Sequence, residues 1–439
     1  MEEGEKTLER NKRPVRLVSA ISALLVGLLF TTIIGSTSAY AAAAKDAFTP
    51  NSLGLEVQSA ILIDADTGQV LYQVAQDEVR PPASMTKMMS EYIVLEEIQQ
   101  KRIKWDDIVT VTKEAASTPA DGSQIYLAEG DKHTVKDLYI AMAVGSANDA
   151  TVALADHIGG GTEQGFVQKM NDTAKSLGLN SAHFTTATGL LDTTVISAAD
   201  LAKFARLLLQ KHPEFLDYSK IQSYKFRERD KEPMINWNWM LGSNKDVPSF
   251  KKFAYEGLDG MKTGYIGAAG YCFTGTAKRG DLRLISVVMG TSTKEARFYE
   301  TAKLLDYGFN NFEKKTVVAP KTVVKDAETV KINKGVSKTA PIVTANDITF
   351  LVKKGAAPQI SAPKVTLQTE DKLVAPIKQG QVVGTATYSY KDADTGETIE
   401  KKVDLISSEN VDKGSWWRLM FRAIGTFFAG LFNGIVDLF

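Results

Sequence analysis

Strand-like runs bracket a long helical stretch in this chain, and that order constrains its fold more than any other feature. At the front, residues 60–63 and 70–72 are apolar, β-prone runs joined by Asp64-Ala65-Asp66-Thr67-Gly68, whose Asp and Gly supply turn geometry. Helical signals follow. Ser197-Ala198-Ala199-Asp200 is a capping-box variant with Asp in place of Glu, and it leads into Leu201, Phe204, Leu207 and Leu208 at helical spacing. Strand-like runs return through Cys272-Phe273-Thr274 and residues 282–289, followed by a helix over about 294–309. Strands at both ends of a helical middle predict a mixed α/β fold: one mixed sheet with helices around it.

The chain has 439 residues with 52 basic and 52 acidic side chains, enough for two or three domains and without the charge excess that nucleic acid would require. Near its start lie a basic stretch (Arg10, Lys12, Arg13, Arg16), an apolar run over 17–35 and the small residues Ala39-Tyr40-Ala41. That is the order of a secretory signal peptide, expected over residues 1–44 with cleavage after Ala41 or Ala44. An uncleaved signal anchor is the alternative, and in either case the rest of the chain is exported. The single cysteine, Cys272, excludes an intrachain disulfide, so stability must come from packed cores. It sits in the strand-like run Tyr271-Cys272-Phe273-Thr274 and is expected to be a small core residue and not a nucleophile. His133, His157, His183 and His212 lack metal-ligand spacing, and no metal site is expected.

Beyond residue 312 the composition shifts to short Val/Thr/Lys-rich runs broken by Pro and Gly, among them Lys321-Thr322-Val323-Val324, Val365-Thr366-Leu367 and Val382-Val383-Gly384-Thr385. Residues 45–312 and 313–412 are therefore expected to be separate domains, the second all-β and without catalytic residues, serving as a spacer or a protein contact. It repeats the pentapeptide Asp392-Ala393-Asp394-Thr395-Gly396. Two Asp-Thr-Gly tripeptides are also what an aspartic protease dyad would show, but their place between strand-like runs favours turns. In the last segment, 413–439, Arg418, Arg422, Thr426, Gly430, Asn433 and Asp437 form one narrow polar stripe on an otherwise apolar helix. Such a helix is expected to lie in a membrane interface, because a polar stripe along its length could not be satisfied in lipid. A terminal helix docked on the protein's own core is the alternative.

Three motifs carry the chemistry, in the order Ser84-Met85-Thr86-Lys87, Ser146-Ala147-Asn148 and Lys262-Thr263-Gly264. Each alone is weak, since Ser249-Phe250-Lys251-Lys252 and Ser408-Glu409-Asn410 match the first two patterns, whereas Lys-Thr-Gly occurs once. Their order and wide spacing are those of an acyl-transfer site that runs on lysine. If Ser84 opens a helix, Lys87 lies one turn on and on the same face. An alcohol needs a neighbouring base to attack at neutral pH. Lysine can be that base only when neutral, and burial together with the second cation Lys262 would favour the neutral form.

With these motifs the chain resembles the serine D-Ala-D-Ala carboxypeptidases of the low-molecular-mass penicillin-binding proteins, over nearly its whole length. The segments Pro82-Ala83-Ser84-Met85-Thr86-Lys87-Met88, Ser146-Ala147-Asn148-Asp149-Ala150, Ala187-Thr188-Gly189-Leu190 and Gly257-Leu258-Asp259-Gly260-Met261-Lys262-Thr263-Gly264 support the resemblance. It implies a penicillin-binding, β-lactamase-like transpeptidase domain, a β domain and an amphipathic anchor on the outer face of the bacterial cytoplasmic membrane. It implies Ser84 as nucleophile, Lys87 as base and Ser146 as proton relay. Asn148, Lys262, Thr263 and Gly264 would bind substrate, and the backbone N–H groups of Ser84 and Tyr265 would form the oxyanion hole. Arg297, in the helix after the third motif, is with Thr263 a candidate for the substrate carboxylate; a surface salt bridge is its bland alternative. The substrate would be a peptidoglycan stem peptide ending in D-Ala-D-Ala, β-lactams would acylate the same serine, and no metal or organic cofactor is needed.

Two other readings stay open on sequence alone. A class A β-lactamase shares the trio, and Glu232-Pro233-Met234-Ile235-Asn236 resembles its deacylating motif, although Glu232 lies nearer the third motif than the second. A non-catalytic penicillin-binding scaffold would use the β domain to hold cell-wall partners.

Overall fold

The computed structural model describes residues 51–392 and 396–436, with side chains as far as residue 430. The expected signal peptide, Asp437 and the centre of the second Asp-Ala-Asp-Thr-Gly lie outside the described residues.

Five strands form the central sheet: β1 (Ser59–Asp64), β2 (Val70–Val74), β3 (Leu258–Ile266), β4 (Gly270–Arg279) and β5 (Leu282–Thr291), in the order β2-β1-β5-β4-β3. The α/β architecture is the one the sequence predicts. The sheet itself is antiparallel at all four pairings, so it is not mixed in strand direction. Short turns link β1 to β2 and β3 through β5, and such links permit only antiparallel neighbours. At the first turn Asp64 Oδ2 accepts from the Thr67 amide (2.9 Å) and hydroxyl (2.6 Å), and Gly68 takes φ +83°, so the Asp-Thr-Gly here is a turn.

Side chains alternate across the sheet, and both faces are covered. Ile61 and Ile63 of β1, with Ile285 and Val287 of β5, face a helical layer. That layer holds α1 (Lys87–Gln99), α2 (Val135–Gly145), α3 (Asn148–Ile158), α4 (Glu163–Ser176) and α5 (Ala198–Lys211). Leu62 and Leu284 point the other way, onto Phe298, Leu304 and Leu305 of α6 (Ala296–Asn311). Cys272 is fully buried in the first of these cores, and burial pushes its thiol up to about 11, so it is inert. Ser197 caps α5 by accepting from the Asp200 amide, but the return half of the capping box is missing. Asp200 instead accepts from the Ser181 amide and hydroxyl (2.7 and 2.6 Å), tying the preceding loop to the helix.

The chain leaves α6 directly into β6 (Phe312–Val318) and an all-β region with β7 (Thr329–Lys331), β8 (Thr339–Thr344), β9 (Ile348–Lys353), β10 (Lys364–Leu367), β11 (Val382–Lys391) and β12 (Thr398–Ser407). Its sheet runs β7-β8-β12-β11-β10, with β6 paired to β9 alongside. Val330, Ile342, Phe350, Val383 and Leu405 fill its core. The run at residues 321–324 is a turn with one isolated bridge, Val324 to Ala327, and not a strand.

The last element, α7 (Trp416–Val436), leaves Trp416, Trp417, Phe421, Ile424, Phe427 and Phe428 exposed, so it is not docked by its apolar face. No helix among the described residues is long and apolar enough to cross a membrane.

Candidate active site

Ser84 does not open an α-helix. It lies in a 3-10 turn, Ala83–Thr86, which passes without a break into α1 at Lys87. Ala83 takes φ +51°, a left-handed backbone that costs about 1–3 kcal/mol in a non-glycine residue and survives only where its surroundings impose it. The surroundings here are tight. A β-carbon at Gly264 would sit 2.5 Å from the Pro82 carbonyl oxygen, and one at Gly189 would sit 2.1 Å from that of Ala83. Glycine in Lys262-Thr263-Gly264 and in Ala187-Thr188-Gly189 therefore lets β3 and the loop after α4 close on the turn that carries Ser84.

Lys87 is fully buried, and its Nζ lies 3.1 Å from Ser84 Oγ, 2.6 Å from Asn148 Oδ1 and 3.0 Å from the Thr188 carbonyl oxygen. Burial, and then the charge of Lys262, hold its pKa well below the usual lysine range. Lys262, on β3, is also buried and brought down to about 8 by the same loss of water. Ser146 ends α2 in the left-handed region at φ +58°, and its buried hydroxyl has no hydrogen-bond partner among the described residues. The next helix, α3, starts at Asn148, so the Ser146–Asn148 motif spans the junction of two helices.

The third motif lies on β3, the outermost strand of the sheet, beside a cleft of about 630 Å³. Ser84, Ser146, Asn148, Thr263, Gly264, Tyr265 and Arg297 line that cleft, while Lys87 and Lys262 are buried beneath. Tyr265 is half-exposed and stacks on Tyr271 at 4.2 Å. Arg297 is no surface salt bridge: it is buried, donates to the Gly264 carbonyl at 3.3 Å, and leaves Nε unpaired. Burial brings its pKa down to about 10, so it is a desolvated cation at the cleft with no acidic partner in a salt bridge among the described residues.

Asp149 is a site residue to which sequence reasoning gave no role. Its buried carboxylate accepts from the amides of Ile125 (3.1 Å), Leu127 (3.0 Å) and Ala150 (2.9 Å). It thereby clamps the segment whose neighbours Pro119, Asp121, Gly122 and Ser123 form one wall of the cleft. The only sequence signal was its place beside Asn148. The Thr188 carbonyl, Trp237 and Lys294 were likewise unread; the last two line the cleft, with Lys294 Nζ 5.4 Å from the Trp237 ring. Glu232 is exposed and outside the cleft, so the lactamase-like pentapeptide brings no carboxylate to Ser84.

Comparison with known proteins gives the family. The profile of the D-alanyl-D-alanine carboxypeptidase family matches residues 46–293. The chain belongs to that family. The profile of the penicillin-binding protein 5 C-terminal domain matches residues 312–413. Among relatives, the carboxypeptidase DacF of Bacillus subtilis is 36% identical over 407 residues, covering 92% of this chain and 97% of the relative. DacC of Escherichia coli is 34% identical, covering 84% and 88%. Penicillin-binding protein 5 of Haemophilus influenzae has a similar solved structure, with TM-score 0.63 and 29% identity over 83% of this chain and all of that one. The chain thus joins a D-alanyl-D-alanine carboxypeptidase domain to the β domain characteristic of low-molecular-mass penicillin-binding proteins.

Proposed function

We propose that this carboxypeptidase cleaves the terminal D-alanine from peptidoglycan stem peptides through an acyl-enzyme on Ser84, with Lys87 as the base. The contacts of Lys87 Nζ carry this reading. Two of its three neighbours, Asn148 Oδ1 and the Thr188 carbonyl, can only accept. A neutral amine has two N–H groups and one lone pair. With both N–H groups given to those oxygens, the lone pair is left for the hydroxyl of Ser84 at 3.1 Å.

Ser84 Oγ attacks the carbonyl of the penultimate D-alanine while Lys87 takes its proton. The backbone N–H groups of Ser84 and Tyr265 steady the oxyanion; one such donor is typically worth about 2.7–4 kcal/mol. Ser146, whose hydroxyl is free to turn, passes the proton to the leaving nitrogen, and D-alanine departs. Water, deprotonated by Lys87, then hydrolyses the ester. Arg297 and Thr263 hold the terminal carboxylate, which explains a buried cation left without a protein anion. β-Lactams acylate the same oxygen. The enzyme works on the outer face of the cytoplasmic membrane, exported by its signal peptide and held in the interface by α7, whose exposed aromatics support this reading.

The test is D-alanine release from diacetylated Lys-D-Ala-D-Ala by the full chain in detergent, beside Ser84→Ala, with fluorescent penicillin as a second readout. Release and covalent labelling that both vanish in Ser84→Ala are expected. Labelling without release would favour a penicillin-binding scaffold.

A further inference from the structure

Among the described residues, Glu91 is the one carboxylate with both oxygens buried and without a hydrogen-bond partner. An unmet polar group of this kind is costly, so its presence needs a reason. It lies one turn after Lys87 on α1, a helix buried on nearly every side. Helical side chains lean towards the N-terminus, which carries the Glu91 carboxyl back over the turn that holds Lys87. Lys262 reaches the same buried region from β3, and Tyr139, whose buried hydroxyl is turned to the Glu91 carboxyl and favours its ionised form, reaches it from α2.

The other acids around Lys87 are committed elsewhere. Asp149 on α3 is bonded to backbone amides, and Glu163 on α4 accepts from the Ala187 amide at 2.7 Å. Arg297 on α6 adds a further cation near Lys262. Glu91 is the carboxyl left to face the two amines, with only the Tyr139 hydroxyl beside it.

We propose that Glu91 is a positioning residue that couples the two site lysines: its buried carboxyl balances the cation on Lys262 and so decides how firmly Lys87 holds its proton. Substrate never touches it. The inference rests on Lys87 acting as the base for Ser84. Loss of water pushes the Glu91 carboxyl up to about 8 and Lys262 down to about 8, so their charges change in the pH range where the reaction must run.

The sign follows from charge. An ionised Glu91 favours the protonated form of Lys87, so replacing it by a neutral isostere makes Lys87 release its proton at lower pH. The acid limb of the pH profile for penicillin acylation should therefore move down in Glu91→Gln. Acylation at about pH 8, where wild-type Glu91 is ionised enough to hold the proton on Lys87, should rise several-fold relative to the high-pH plateau. The plateau should fall, because the base is weaker. Glu91→Asp keeps the charge and should bring the limb back. Tyr139→Phe removes a hydroxyl that favours the ionised carboxyl, and should move the limb in the same direction by less.

Acylation rates across the pH range for the full chain and these variants decide the matter. A Glu91→Gln limb that superimposes on the wild type, whatever its height, overturns the proposal, since a purely structural defect changes height alone. Should that variant not fold, the Tyr139→Phe profile carries the same test, displaced in support or superimposed against. A wild type that neither releases D-alanine nor traps penicillin would instead defeat the acyl-transfer reading itself.

Discussion

The two five-stranded sheets of this chain use burial in opposite ways. The β domain fills its interior with side chains such as Val330, Ile342, Phe350 and Leu405, and its buried hydroxyls simply donate to the main chain: Thr344 to Ala319 at 3.0 Å, Ser407 to Glu409 at 2.7 Å. Beside the five-stranded sheet that carries Lys262, the side chains of Lys87, Glu91, Asp149, Lys262 and Arg297 are all buried, Glu91 and Arg297 with unmet hydrogen-bonding capacity. Burying ionisable groups costs free energy and moves their proton affinities. One region uses burial for stability; the other, on the mechanism proposed above, uses it for reactivity. The left-handed backbones at Ala83 and Ser146 belong to the second use.

The sharpest way to break this contrast is to make similar deletions on each side. Lys87→Met should lower penicillin acylation by about 10²–10⁴-fold, the usual worth of a general base, while the protein stays folded. A loss under about tenfold would place the base elsewhere. Phe350→Ala in the β domain should do the reverse. It should cost about 3–5 kcal/mol in denaturant unfolding of that domain and leave kcat/KM for a small D-Ala-D-Ala peptide near wild type. If Phe350→Ala lowered kcat/KM tenfold, the β domain would be part of the catalytic apparatus. Asp149→Asn sits between the two. It keeps one carbonyl acceptor for three backbone amides, so a stability loss of about 1–3 kcal/mol is expected. KM should rise more than kcat falls, because the wall that Asp149 clamps lines the cleft and carries none of the groups proposed to react.

What was legible in the sequence was what local spacing encodes. Ser84 and Lys87 meet because three residues span one turn, and the unbroken apolar run at residues 60–63 is a strand buried on both faces. What was hidden depended on contacts between distant segments. Asp149 acts on amides some two dozen residues earlier, and the Thr188 carbonyl meets Lys87 from 101 residues away. Glu91 stands in a run of apolar residues where a lone acid reads as the solvent side of an amphipathic helix; only the burial of α1 on nearly every side shows otherwise. Asp200 abandoned its capping box because Ser181 offers two donors that local sequence does not reveal.

The smallest expected effect concerns the polar stripe of α7. Its position on an apolar helix suggests arginines that meet anionic lipid, a gain of about 1 kcal/mol each. In the structure Arg422 is already engaged: it donates to the carbonyl oxygens of Gly335 (2.8 Å) and Val336 (2.6 Å), and Arg418 reaches Val336 at 3.4 Å. These bonds make the stripe a strut against the β domain and leave Trp417, Phe421, Phe427 and Phe428 to face outward. Phe421→Ala should then weaken partition into anionic and neutral vesicles alike, by about tenfold or more if burying the ring is worth roughly 1.5–3 kcal/mol. Arg422→Ala should change partition little on either. A loss for Arg422→Ala confined to anionic vesicles would mean that the arginine leaves the β domain for lipid, and that the enzyme is not held to its anchor by this strut.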